Sequence, residues 1–183
     1  MKKIFYIVLL FWFSVNMSAQ LGYKKFFISA GLTGQYMTAP KYTGYDINLT
    51  AIPRYNLVEL SLESTISIEA RPQIGVGFRN WYIYREYDEQ YPARISYSLP
   101  VILNLNWGLN AEENSLNLLG FYAGVGYSIS NVISNEPPYD PIYGLVIDAG
   151  MHMEGSPISH VSVMYTIGND GSRIYSFGFY YDF

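Results

Sequence analysis

The chain has 183 residues, no cysteine and a formal net charge of -4 at pH 7. Without cysteine it has no disulfide framework, thiolate metal ligand, cysteine nucleophile or cysteine-linked lipid anchor. The mild acidity offers no basic surface, so we expect no nucleic-acid partner. Half of the residues are hydrophobic and only 14% are charged, yet the mean hydropathy is just +0.07. Apolar residues must therefore alternate with polar ones, as the strands of a transmembrane barrel require.

The first nineteen residues have the composition of an export signal. Lys2 and Lys3 precede an uninterrupted apolar run over residues 4–13, and residues 14–19 form a short polar exit. The apolar run is about ten residues long, whereas a membrane-spanning helix needs roughly twenty. We predict a signal peptide over residues 1–19, cleaved before Gln20, and one exported domain over residues 20–183. No other segment is apolar enough to span as a helix, so membrane insertion after export would require a barrel.

Period-two alternation recurs through the exported domain and predicts eight strands. The polar stretch 38–55, which contains prolines, is interpreted as a long loop, and residues 71–73 as a tight turn. Pro100 falls inside the fourth strand, where we expect a bulge because proline cannot donate a ladder hydrogen bond. The predicted fold is an all-β, eight-stranded antiparallel up-and-down transmembrane β-barrel. Its strands are predicted at residues 25–37, 56–70, 74–85, 95–107, 119–130, 143–151, 161–167 and 173–183.

The final strand carries an aromatic residue at every second position up to its end. These residues are Tyr175, Phe177, Phe179, Tyr181 and Phe183. The pattern resembles the terminal-strand signal by which assembly machinery recognises Gram-negative outer-membrane barrels. Together with the export signal and the strand pattern, it makes residues 20–183 resemble small outer-membrane β-barrel proteins of the OmpX and OmpA-barrel type.

This resemblance implies a location in the outer membrane and a porin-like architecture. The expected partners are outer-membrane lipids and, through the C-terminal strand, the barrel assembly machinery. We expect a monomer with both termini on the periplasmic side, short periplasmic turns and longer external loops, in particular after the first, third and fifth strands. A partner at the cell surface would bind those external loops.

A group of charged residues has the parity expected of the lumen. In the predicted second and third strands these side chains face inward. Two of them can lie opposite each other only if their residue numbers have an even sum, which pairs Glu63 with Arg79 or Glu59 with Arg85. Two interpretations follow: a narrow ion path, or a packed polar plug. The plug is favoured, because eight strands enclose only enough room for side chains. The predicted lumen cluster comprises Glu59, Glu63, Glu69, Arg79, Arg85 and Asp148, and His152 and Asp182 share its parity.

His160 and Ser162 are similar to the His-x-Ser motif of outer-membrane lipid A deacylases. The glutamate expected downstream is missing, however, and Ser172 and Arg173 occur there instead. A serine nucleophile needs an adjacent base and an orienting acid. We therefore predict no catalytic residue, and interpret both side chains as lumen filling. No cofactor is predicted, and the loop acids Asp46, Asp88, Glu89 and Asp140 lack the spacing of a calcium site.

The sequence thus favours a non-enzymatic barrel with a structural or surface-interaction role through its external loops. A small ion or solute channel is the first alternative, motivated by the charged inner face. A lipid A hydrolase is the second alternative, and it depends on His160 and Ser162 alone.

Overall fold

A computed structural model describes residues 26–39, 42–61, 63–79, 94–109, 118–133, 141–154, 156 and 158–183. The predicted signal peptide, residues 1–19, lies outside these ranges. Within them no helix is long and apolar enough to cross a membrane. The strands are β1 (Phe26–Ala39), β2 (Tyr42–Ser61), β3 (Ser64–Ala70), β4 (Gln73–Arg79), β5 (Arg94–Gly108), β6 (Leu119–Ile133), β7 (Ile142–Met153), β8 (His160–Gly168) and β9 (Arg173–Asp182).

The strands close into a ring in which neighbours are antiparallel. β1 pairs with β2 on one side and with β9 on the other, so the first and last strands complete the barrel. β3 and β4 occupy a single place in the ring, because both pair with β2 and β5. The barrel therefore has eight strands around its circumference, which confirms the predicted fold class.

The junction between β3 and β4 is an interruption of one strand. Ser64 faces Trp107 and Gly77 faces Arg94 in one unchanged register along β5. At the junction the Arg71 N–H donates to the Pro100 carbonyl at 2.9 Å, and the Ala51 N–H donates to the Pro72 carbonyl at 3.2 Å. Neither proline has an N–H with which to return the bond. The prediction of a tight turn at residues 71–73 was wrong, because these prolines remove ladder hydrogen bonds without reversing the chain.

β2 occupies most of the stretch that was predicted to be a loop. Its inward side chains are polar, including the buried Asp46, Asn48 and Thr50, while Ile47 and Leu49 point outward and are exposed. The alternation was present in the sequence, but the polar inner row resembled loop composition. Only residues 40 and 41 separate β1 from β2, so the long connection predicted after the first strand was also wrong.

Pro100 causes no bulge. β5 pairs with β6 in an unbroken register from Ile95 opposite Ile133 to Gly108 opposite Gly120. Pro100 faces the lumen and is buried. The expected bulge is absent because the proline omits one donor while the rest of β5 remains paired on both sides.

The two faces of the barrel differ in chemistry. Outward side chains are large and apolar, such as Leu32, Val125 and Leu145, which are 54%, 63% and 64% exposed. The aromatic row of β9 belongs to this outer face, since Tyr175, Phe177, Phe179, Tyr181 and Phe183 are all exposed. Inward side chains are mostly polar and buried. We call the barrel end at which β1 begins and β9 ends the terminal mouth.

Closure between β1 and β9 can be tested by cross-linking, because the chain contains no other cysteine. Leu32 lies opposite Phe179 and both side chains point outward. Directly opposed strand residues have Cα atoms about 5.5 Å apart, within the range of a disulfide. We expect the variant Leu32→Cys with Phe179→Cys to form an intramolecular disulfide, detected as altered gel mobility of the denatured chain. Leu32→Cys with Tyr175→Cys is the control, because both thiols point outward but Tyr175 lies opposite Tyr36, four residues along β1 from Leu32 and beyond the range of a disulfide. Equal cross-linking of the two variants would contradict the register.

Candidate functional site

Arg71 lies at the centre of the lumen and is 0% exposed. Its side chain points inward because the odd-numbered residues of β3 face the lumen and this alternation continues through the interruption into β4. Its Nε donates to Glu69 Oε1 at 2.5 Å, and its two terminal nitrogens form a forked ion pair with the carboxylate of Asp148. It also donates to Tyr122 Oη at 3.0 Å and to Ser162 Oγ at 3.3 Å. One guanidinium therefore joins side chains of β3, β6, β7 and β8.

The two carboxylates around Arg71 are themselves well bonded. The remaining oxygen of Glu69, Oε2, accepts a hydrogen bond from Asn104 Nδ2 at 2.8 Å. Burying a charge is costly unless it is paired and its hydrogen-bonding capacity is used. The fork between Arg71 and Asp148 has the planar geometry in which such pairs are strongest. The arrangement satisfies these charges inside the barrel without bulk water.

A second cluster lies at the terminal mouth. Asp182 Oδ2 is 3.0 Å from His152 Nδ1, and Asp182 Oδ1 accepts from Ser29 Oγ at 2.5 Å. His160 lies directly opposite His152 in the β7–β8 pair, with ring centroids 4.3 Å apart. Arg54 Nη1 is 3.2 Å from His152 Nε2. We call His152, His160 and Asp182 the histidine–aspartate cluster.

Tyr122 connects the two clusters. Its hydroxyl is 2.8 Å from His160 Nε2 and also accepts from Arg71. The Tyr180 hydroxyl is 3.2 Å from Ser162 Oγ and 2.9 Å from Thr33 Oγ1, so it extends the network from Ser162 to β1. The Tyr180 ring packs against His160 with centroids 4.8 Å apart. Polar side chains are therefore in contact from the centre of the lumen to the terminal mouth, through hydrogen bonds as far as His160 and through ring packing from His160 to His152.

Two glycines make room for these tyrosine rings. A Cβ at Gly150 would lie 2.6 Å from Cε1 of Tyr122, and a Cβ at Gly178 would lie 2.6 Å from Cε2 of Tyr180. Both distances are shorter than carbon atoms tolerate without displacement. The glycines in β7 and β9 thus allow two large polar rings to lie across a narrow lumen.

The rest of the described lumen is also filled by side chains. Gln35 donates to Gln73 at 2.6 Å, and Asn106 donates to Ser67 at 2.9 Å. Two small apolar clusters complete the packing, one of Ile102, Val146 and Met164 and the other of Met37, Ile142 and Ile174. A cavity of about 10 Å³ remains beside the histidine–aspartate cluster. That volume is about enough for one water molecule.

The predicted lumen cluster is only partly present. The structure places Glu69 and Asp148 in the lumen, where Arg71 joins them. Glu59 and Glu63 are exposed, so their assignment to the lumen was wrong. Register shifts after Asn56 and Glu59 disturb the alternation at the end of β2, and Glu63 belongs to the connection with β3.

The strand register does not place Arg79 opposite Glu63. Arg79 is the last residue of β4 and lies opposite Gly44 of β2, so the register that paired it with Glu63 was wrong. Arg85 lies outside the described residues. Sequence reasoning missed Arg71, which was assigned to a turn, and Arg54, which was assigned to a loop. The signal for Arg71 was the odd-numbered polar row of Thr65, Ser67, Glu69 and Gln73, which passes through it.

His160 and Ser162 are both buried, but they do not form a nucleophile–base pair. Ser162 Oγ contacts Arg71 and Tyr180. The hydrogen bond of His160 goes to Tyr122 instead. A serine that accepts from a guanidinium and has no adjacent base is poorly activated for attack. The geometry therefore matches the interpretation of these side chains as lumen filling.

No protein-family model and no curated protein sequence matches the chain. Solved structures do. The attachment invasion locus protein Ail of Yersinia pestis, in complex with the heparin analogue sucrose octasulfate, is 13% identical with a TM-score of 0.55, covering 86% of this chain and 97% of that one. Neisserial surface protein A is 9% identical with a TM-score of 0.54, covering 87% and 97%. The outer membrane protein OprG from Pseudomonas aeruginosa is 11% identical with a TM-score of 0.51, covering 88% and 97%.

The likeness is one of fold. These structures are eight-stranded outer-membrane barrels, and each is matched over almost its full length. The resemblance to small outer-membrane barrels is thus confirmed for the architecture. At such low identity the likeness carries no residue-level role to Arg71 or to the histidine–aspartate cluster.

The energetic role of Arg71 can be measured with Arg71→Met in the refolded protein. The variant leaves Glu69 and Asp148 as unpaired buried charges, so we expect the free energy of unfolding to fall by about 3–5 kcal/mol. Urea titration in detergent micelles or lipid vesicles measures this change. Arg173→Met is the control, because Arg173 is exposed, and it should cost less than about 0.5 kcal/mol.

A triple variant separates charge pairing from simple loss of packing. We call Arg71 and its partners Glu69, Asp148 and Tyr122 the hub. Glu69→Gln, Arg71→Met and Asp148→Asn together remove every charge of the hub, so that none is left unpaired. We expect this variant to be more stable than Arg71→Met alone. If the triple variant is the less stable of the two, the ionic explanation of the hub is wrong.

Proposed function

We propose that the protein is an outer-membrane barrel with a closed lumen and a structural or surface-interaction role through its external loops. The observation that carries the proposal is that the side chains around the closed ring are distributed in the opposite way to those of a soluble barrel. Large apolar residues face outward, and buried polar residues face inward. A soluble barrel of this size would place its apolar residues inside.

The outer face suits a lipid environment in two respects. The ring has no unpaired edge among its strands, because β1 and β9 are hydrogen-bonded to each other. In the aromatic row of β9, Tyr175 and Tyr181 lie towards the two ends of the strand and are the amphipathic rings typical of membrane interfaces. The predicted signal peptide, residues 1–19, and recognition of the C-terminal strand by assembly machinery are the route we propose for reaching the outer membrane.

Surface interaction is favoured over transport because the lumen is filled. Hydrogen bonds join Arg71 through Tyr122 to His160, and the His160 ring packs against His152, which is bonded to Asp182. The cavity beside these side chains holds about one water molecule. Binding would then use the connections at the mouth opposite the termini, among them residues 80–93 and 134–141. Two proteins of similar structure are an attachment invasion locus protein and a surface protein, and both names are consistent with such a role.

The membrane assignment predicts a cost for outward charges that depends on depth. Val125 lies near the middle of β6 and Leu119 lies at its end. An arginine facing lipid at the bilayer midplane costs about 2–4 kcal/mol, falling to about 0–1 kcal/mol near the interface. We therefore expect Val125→Arg to destabilise the vesicle-refolded protein by more than Leu119→Arg does, as measured by urea titration.

A water-exposed outer face would give a different result. Both side chains are already exposed to solvent in that case, so both substitutions would be nearly neutral. A monomer that stays soluble and folded without detergent, with both arginine variants neutral, would overturn the membrane assignment.

The closed lumen predicts electrical silence. In planar bilayers we expect no steady conductance from the refolded wild type, because no continuous water path crosses the network. The measurement also tests the channel alternative. Steady single-channel currents in the wild type, changed by Arg71→Met and unchanged by Arg173→Met, would assign a channel function instead.

A further inference from the structure

The histidine–aspartate cluster contains potential metal-ligand atoms that the hydrogen bonds of the lumen do not all use. The chain contains two histidines, and both belong to this cluster, on facing positions of β7 and β8. Asp182 of β9 lies beside them. One potential ligand atom from each residue lies within 4.8 Å of the other two. Two imidazoles and a carboxylate are a common ligand set for zinc and similar divalent transition metals.

The distances suit a small ion. Asp182 oxygens are 3.0 Å from His152 Nδ1 and 3.9 Å from His160 Nδ1. A tetrahedral zinc ion with ligand bonds of about 2.0–2.1 Å holds its ligand atoms about 3.3 Å apart. The 3.0 Å distance is to Asp182 Oδ2 and the 3.9 Å distance is to Oδ1, and one ligand atom from each residue lies within 4.8 Å of the others. Binding would therefore require the side chains to close in by up to about 1.5 Å.

An independent observation points to a ligand at the same place. His160 is buried, and its Nδ1 has no hydrogen-bond partner although it points towards the other two residues. The cavity of about 10 Å³ borders all three side chains and has room for an ion or a water molecule. Tyr122 Oη is placed to accept from Nε2–H of His160, which is the support that a metal-bound histidine usually has.

We propose that His152 Nδ1, His160 Nδ1 and the Asp182 carboxylate bind a divalent transition-metal ion of the zinc type at the terminal mouth. The Asp182 side chain is 20% exposed, so solvent at the terminal mouth can supply a water molecule as the fourth ligand. Such a site would join β7, β8 and β9 where the barrel closes.

Arg54 opposes this binding. A guanidinium only donates, so His152 Nε2 accepts from Arg54, and neutral His152 carries its proton on Nδ1 and donates it to Asp182. When the ion binds, that proton moves to Nε2, and Arg54 must withdraw because two donors then face each other. Arg54 therefore weakens the metal affinity, and removing its charge should strengthen it.

The test uses the protein of residues 20–183 refolded in detergent micelles. Zinc chloride is titrated by calorimetry, and cobalt(II) chloride is titrated by visible absorption, where a tetrahedral site with nitrogen and oxygen ligands gives intense bands. We expect one zinc ion per chain and a tetrahedral cobalt spectrum. His160→Gln and Asp182→Asn should each weaken zinc binding at least about tenfold, and Arg54→Gln should tighten it.

Glu154→Gln is the matched control, because it removes an exposed acid two residues from His152 and should leave the affinity unchanged. Folding of each variant is checked by the heat-dependent gel shift. Histidine-labelled NMR of the wild type gives a second readout, since zinc should shift Nδ1 of both rings. Absence of zinc heat and of cobalt bands in the folded wild type would overturn the proposal. Unchanged affinity in both His160→Gln and Asp182→Asn would do the same.

Discussion

The structure depends on pairing one buried guanidinium in a lumen that has no room for bulk water. Arg71 is fully enclosed, so its charge must be matched by protein groups alone. Glu69 precedes it on the same inward row, Asp148 faces it from β7, and Tyr122 faces it from β6. A barrel wall is held mainly by ladder hydrogen bonds between adjacent strands. The hub adds bonds across the interior, between strands that are not neighbours, and so fixes the cross-section of the barrel.

The hub lies at the level where the wall has fewer ladder bonds. Pro72 and Pro100 each lack the N–H that would return a bond at the interruption between β3 and β4. The backbone of Arg71 is therefore held less completely than that of its neighbours, while its side chain is bonded on several sides. We infer that the side-chain network compensates for the missing ladder bonds and keeps β3 and β4 in one register.

The sequence predicted the class of fold because alternation survives wherever a strand is paired on both sides. It failed where the inner row itself looks like a loop, as in the row of Asp46, Asn48 and Thr50. It failed again at Arg71–Pro72, where proline suggested a turn although the polar row continues beyond it. The sequence could predict which side chains face the lumen, but not which of them pair with each other. The pairing of Arg71 with Asp148 joins β3 and β4 to a strand across the ring, and no spacing in the sequence encodes that distance.

The filled lumen also limits where function can occur. Chemistry that needs access must take place at a mouth, because the centre is occupied by the hub and by packed apolar side chains. At the terminal mouth, Asp182 contacts Ser29 of β1 and His152 of β7, so it bridges the β1–β9 seam and reaches past β8 to the next strand of the ring. An ion bound there would hold the last strand against β7 and β8. Such an ion would stabilise closure of the ring at the end where the chain both begins and ends its barrel, leaving the opposite mouth to surface partners.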